Sequence, residues 1–163
     1  MPTAKHFTKR WLPERFVELG IKLAKQHRSK IFIFGSKSDS DYCGDIAQMI
    51  NAELGSSAAE SVAGMFSLLE TAAALDYCGV VVSNDTGIMH IASARKKNLV
   101  AIFGSTVREF GFFPYRTKSI VVENEELSCR PCSHIGLDKC PEGHFKCMKG
   151  ISAERVLSAI SKL

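Results

Sequence analysis

Gly79-Val-Val-Val-Ser-Asn-Asp85-Thr-Gly87-Ile-Met-His90-Ile-Ala92 is the stretch whose reading decides the fold. Gly79–Ser83 is a short apolar run without polar alternation, the signature of a strand buried on both faces of a parallel sheet. Asp-Thr-Gly then turns the chain into a helix predicted from about Gly87 to Lys97, with Arg95, Lys96 and Lys97 at its electronegative end. Downstream, Leu99–Gly104 and Ser119–Glu123 repeat the strand pattern, and Ser152 caps a last helix with Val156, Leu157 and Ile160 facing inward.

Upstream the alternation continues. Pro13 suits a first helical turn, after which Phe16, Leu19, Leu23 and Ala24 recur at helical spacing. Lys30–Gly35 reads as a strand. Ser38 and Asp39 can cap a helix to about Leu54, with Ile46, Met49 and Ile50 inside, and Ser67–Tyr77 is helical. Residues 55–63 are small and polar, and any brief strand among them has no definite position. Strands alternating with helices predict an α/β fold, a Rossmann-like parallel sheet flanked by helices. The chain opens on a polar segment and a helix. A doubly wound half-domain normally opens on a strand, so the expectation is that the sequence begins inside a larger protein.

Length and composition set bounds. The 163 residues suit one domain, taken as 1–163. With 45% apolar and 23% charged residues the composition is that of an ordinary globular chain. The net charge of +4 favours an anionic ligand, but Lys and Arg are scattered, so nucleic acid is not expected as a partner. No run of about 18 apolar residues is present, and residues 1–11 lack the apolar core of a signal peptide. The expected compartment is the cytoplasm.

The Asp85-Thr86-Gly87 turn carries the chemistry. It lies at the carboxyl end of a buried strand, where open α/β sheets bind ligands. Gly87 lets a phosphate approach the backbone, the helix N-terminus supplies N–H donors, and Thr86 adds a hydroxyl. His90, one turn on, can point back to the same mouth. Asp85 would hold a ribose hydroxyl or orient the loop. The plainer alternative is an N-cap and a surface histidine.

A second cluster is Cys129-Arg-Pro-Cys132 with Cys140 and Cys147, in a Cys-rich loop over 128–150 that also holds His134 and His144. Three readings stay open. Four thiols suit a tetrahedral structural zinc, although the spacing is irregular beside paired knuckles. The loop could equally be a packed donor-side element with buried thiols, or disulfide-bonded. Cys43 and Cys78 read as core.

Over nearly its whole length the sequence resembles the ADP-heptose:lipopolysaccharide heptosyltransferases of glycosyltransferase family 9. Ser83-Asn-Asp-Thr-Gly-Ile-Met-His-Ile-Ala-Ser-Ala94, Val100-Ala-Ile-Phe-Gly-Ser-Thr106 and Lys9-Arg-Trp-Leu-Pro-Glu-Arg-Phe16 carry the likeness. The Cys-x-Pro-Cys region resembles the second enzyme of core assembly more than the first. The resemblance implies the C-terminal, donor-binding half of a two-domain GT-B glycosyltransferase. It places Lys9 at the diphosphate, Asp85, Thr86, Gly87 and His90 in the ADP-sugar loop, and Phe66 beside adenine. Asp39, at a strand end, can accept from ribose hydroxyls or simply cap a helix.

The family reaction is an inverting transfer from an ADP-heptose donor to the lipopolysaccharide core. Its base would lie in an N-terminal acceptor domain outside these residues, leaving no catalytic residue in this chain and none of its turnover. No Asp-x-Asp motif accompanies the loop, so no cofactor is expected for transfer, and a structural zinc is the one metal under consideration. The full enzyme would work in the cytoplasm at the face of the inner membrane, as a peripheral protein. The competing reading is a non-catalytic nucleotide- or zinc-binding α/β module; a flavodoxin-like loop at Gly35–Ser40 keeps FMN as a further contrast.

Overall fold

Pro13 opens helix α1 (Pro13–His27), where its missing N–H would have no intrahelical partner anyway. In the computed structural model, which describes residues 1–163, there follow β1 (Ile31–Ile33), α2 (Ser40–Leu54), β2 (Ala59–Ser61), α3 (Leu68–Asp76), β3 (Val80–Asn84), α4 (Gly87–Ala94), β4 (Asn98–Phe103), β5 (Ser119–Glu123), α5 (Lys146–Lys149) and α6 (Ala153–Ile160). The predicted α/β order holds. β2, left unplaced by sequence, pairs parallel to β1, with Ile31 opposite Ala59. A 3-10 turn (Lys37–Asp39) precedes α2. Helix α4 stops three residues before Lys97, because Lys96 takes a left-handed φ of 56°. Arg95 and Lys97 there turn back to Asp76 at the end of α3, the first onto its carboxylate and the second onto its carbonyl.

The strands form two parallel pieces, β2–β1 and β3–β4–β5. The register of the larger piece sets Val82 opposite Val100, and Val100 opposite Ile120. Strand alternation divides β4 between two cores. Val100 and Ile102 pack with residues of α1, α2 and α6, whereas Leu99, Ala101 and Phe103 pack with Leu75 of α3 and with Met89 and Ala92 of α4. Helices therefore cover both faces, as a parallel sheet requires.

The polar N-terminal segment is anchored rather than loose. Trp11 is fully buried; its indole N–H donates to the Ile151 carbonyl and its backbone N–H to Asn84 Oδ1, at 3.0 and 3.1 Å. Asn84 Nδ2 in turn donates to Pro2 O at 2.9 Å. One side chain at the end of β3 thus holds residues 2–11 across the strand tips. Gly104, just after β4, must lack a side chain there, since a Cβ would stand 2.8 Å from Thr8 O.

Candidate functional site

The ends of β3 and β4 and the N-terminus of α4 bring the predicted loop together with the N-terminal segment. Asp85 sits beneath the turn, its side chain only 4% exposed, and Lys9 Nζ lies 2.6 Å from Asp85 Oδ2. The Thr106 hydroxyl donates to the same oxygen at 2.9 Å. Lys9 is also closed in by the ring of Phe112, 5.3 Å from its ammonium. Lys9 and Asp85, 76 positions apart in sequence, therefore form a buried, hydrogen-bonded ion pair. The Asp85 carboxylate is thereby neutralised within the protein by Lys9.

Thr86 is the N-cap of α4 but makes no side-chain bond to the helix; its hydroxyl is 3.3 Å from that of Ser83. By contrast, Ser67 and Ser152 cap α3 and α6 through their side chains. The first-turn N–H groups of α4 thus have no side-chain cap and stay available to an anion. Gly87 is exposed, and a Cβ built on it meets no protein atom within 4 Å. Nothing in the protein itself requires glycine there.

A cleft of about 550 Å³ opens at this point. Thr86, Gly87 and Ile88 form one wall, and Ser36, Ser38 and Asp39 another. Lys5 and Arg10 supply positive charge at its edge. Asp39 combines both readings made of it: it lines the cleft, and its carboxylate accepts from the Ser36 N–H at 3.0 Å in a capping box. Phe66 is partly exposed, its ring 6.4 Å from that of Phe34, and Leu68 two residues on reaches the cleft wall.

Two expectations need correction. His90 is exposed on α4 and is not among the residues that line the cleft, whereas Ile88 and Ile91 are. Nor do Cys129, Cys132, Cys140 and Cys147 assemble a metal site: no three His, Cys, Asp or Glu side chains are grouped to hold an ion. All six cysteines are free thiols, so the disulfide reading finds no pair. Burial pushes the Cys147 thiol up to about 11 and raises that of Cys132, with neighbouring cysteines adding to both shifts.

The Cys-rich loop instead braces the site. Thr8 N–H donates to Leu137 O and Leu137 N–H to Thr8 Oγ1, at 3.0 and 2.8 Å. Phe7 stacks on Phe145 with ring centroids 4.7 Å apart. The two residues before Lys9 are thereby anchored to the loop. Arg130, 4% exposed, ion-pairs with Glu123 and donates to the carbonyls of Thr106 and Asn124 at 2.8 and 2.7 Å. Sequence reasoning missed Lys5, Arg10, Thr106 and Arg130. The last three lay inside motifs noted for other reasons, Lys-Arg-Trp, Gly-Ser-Thr and Cys-Arg-Pro-Cys.

With this geometry in place, the comparisons with known proteins align. Residues 1–142 match the family described as Glycosyltransferase family 9 (heptosyltransferase). Lipooligosaccharide heptosyltransferase 2 of Campylobacter jejuni is 28% identical over 156 residues, covering 95% of this chain and 47% of that protein. Lipopolysaccharide heptosyltransferase 2 of Escherichia coli is 29% identical, with 95% and 42% covered. The solved structure of E. coli ADP-heptose LPS heptosyltransferase II superimposes with a TM-score of 0.81 at 25% identity, over 99% of this chain and 44% of that one. The chain thus spans about half the length of the curated relatives it matches.

Proposed function

The chain belongs to glycosyltransferase family 9, the heptosyltransferases, and from that membership we propose that it is the donor-binding half of an enzyme transferring heptose from ADP-heptose to the lipopolysaccharide core. The observation that carries this reading is the uncapped N-terminus of α4, opening at Gly87 on a cleft edged by Lys5 and Arg10. A diphosphate there would accept from the first-turn N–H groups and meet the positive end of the helix. Lys9, held on Asp85, sets the loop's position from beneath. Asp39 would accept from ribose hydroxyls, and Phe66 would lie toward the base. Together these groups would stabilise the charge that develops on departing ADP, the electrostatic share of an inverting displacement.

The base that takes the acceptor proton must lie within hydrogen-bond reach of the attacking hydroxyl. On this reading it comes from polypeptide outside residues 1–163. The isolated chain is then expected to bind ADP and to give no transfer above background in an assay with ADP-heptose and acceptor. Robust transfer would overturn that division of labour.

Gly87→Ala separates ligand room from folding. Alanine is the better helix former, so stability should hold or rise by up to about 1 kcal/mol. ADP affinity, followed by amide shifts of Thr86–Ile88, should fall roughly tenfold, a loss of about 1.4 kcal/mol. Unchanged ADP affinity, or saturable FMN binding without any response to ADP, would sink the donor assignment.

A further inference from the structure

His144 is held in an uncommon backbone setting. It stands between Gly143 and Phe145, both left-handed, with φ of 68° and 50°. For a bulky residue such as Phe145 that conformation costs free energy, and its burial and its stacking on Phe7 keep it there. The result is an oriented imidazole. Lys146 N–H donates to His144 Nδ1 at 3.0 Å, so Nδ1 carries no proton and the one ring N–H lies on Nε2. Nε2 is 3.9 Å from Cys129 Sγ. The imidazole therefore donates toward the sulfur.

Cys132 completes the arrangement. Its thiol donates to Cys129 O at 3.2 Å and lies within hydrogen-bonding reach of the Cys129 thiol itself. Burial pushes the thiols of Cys43 and Cys147 up to about 11 and raises those of Cys78 and Cys132, so these four hold their protons. Cys129 alone of the six cysteines is bonded to an imidazole, whose N–H can receive the charge of a thiolate. It is half-buried, with Ser128 and Pro131 exposed close by, so a small molecule can reach it. Donor binding makes no use of this constellation.

We propose that Cys129 and Cys132 form a thiol–disulfide exchange site whose substrate is a low-molecular-weight disulfide, with Cys129 as the attacking sulfur, His144 as its positioning residue and Cys132 as the resolving thiol. The Cys129 thiolate attacks one sulfur of the disulfide RSSR. The S–S bond breaks, and the departing thiolate takes up the proton that Cys129 released, leaving as RSH. Cys132 then attacks the Cys129 sulfur of the mixed disulfide, and the second thiolate leaves with the Cys132 proton. Two protein thiols and one RSSR thus become one protein disulfide and two RSH. The protein gives up two electrons, and the small disulfide accepts them. The pair stands against the end of β4, since Cys132 N–H donates to Ser105 O at 3.1 Å and Arg130 donates to the carbonyls of Gly104 and Thr106. The exchange chemistry itself depends on the Cys-rich loop alone, whether or not the cleft binds ADP.

Oxidised glutathione is the probe. The reduced 163-residue chain, treated with it near neutral pH, should lose about 2 Da, and digestion should yield Cys129 and Cys132 joined in one peptide. Cys132→Ser should stop at a single glutathione, carried on Cys129. His144→Ala should slow that first step about tenfold while the alkylation rate of Cys78 stays at the parent value. His144→Gln, whose amide keeps an N–H at similar reach, should recover most of the lost rate. A first adduct on any other cysteine in Cys132→Ser would overturn the proposal, as would a His144→Ala chain that exchanges as fast as the parent. So would a freshly purified chain whose Cys129 and Cys132 react only after a stoichiometric metal has been chelated away, since the thiols would then be ligands.

Discussion

Lys9→Met is expected to lower the unfolding free energy by about 3–5 kcal/mol, the usual cost of stripping one partner from a buried ion pair. Asp85 would remain only 4% exposed, with the Thr106 hydroxyl as its one remaining side-chain donor. Methionine keeps most of the lysine stem, so the loss falls on the ammonium, with its ion pair to Asp85 and its place over the Phe112 ring. The double variant Lys9→Met/Asp85→Leu should cost less than the single one, because no unpaired carboxylate is left behind. Chemical denaturation of the three variants measures the cycle. Additive losses would mean that Lys9 and Asp85 act separately, and the site would need rebuilding from other groups. An ADP titration below the melting transition separates the two roles: a Lys9→Met chain that folds and binds ADP as tightly as the parent would leave Lys9 as a positioning residue only.

How much of this was legible in sequence depended on range. β3, β4 and β5 are runs of Val, Ile, Leu and Ala closed by Gly or acidic residues, so each declares itself locally. β2 could not, because Ala59-Glu-Ser61 has no strand character of its own. It is a strand because β1 offers an edge and because Asn51 clasps Ala59, accepting from its N–H at 2.7 Å and donating to its carbonyl at 2.9 Å. The overlong α4 failed for the same reason: Arg95 and Lys97 suit a helix terminus, but Asp76, about twenty positions earlier, recruits them. At the site, Asp85, Thr86 and Gly87 were readable from their strand-to-helix context. The pairing of Asp85 with Lys9 was not, since it depends on Asn84 folding the N-terminal segment back over the strand ends.

The Cys-Arg-Pro-Cys motif gives the other large expected effect, and it falls on the arginine. Arg130 is 4% and Glu123 13% exposed, and the guanidinium also donates to the carbonyls of Gly104, Thr106 and Asn124. Arg130→Met should therefore cost about 3–5 kcal/mol, by leaving Glu123 charged and buried and three carbonyls short of a donor. Glu123→Gln alone should cost less, since the amide oxygen can still accept from Arg130 while the carbonyl bonds persist. The effect should reach the site as well. Arg130 fixes the Thr106 carbonyl, and the Thr106 hydroxyl fixes Asp85, so releasing Arg130 loosens the carboxylate on which Lys9 rests. Arg130→Lys cannot restore this, because one ammonium cannot span donors arranged as a planar fork. Amide shifts of residues 85–88 in Arg130→Met that match the parent, alongside a full stability loss, would show that the brace holds the fold without reaching the loop. Shifts that move together with those of Thr106 would place the Cys-rich loop in the mechanics of the donor cleft, through its arginine rather than its thiols.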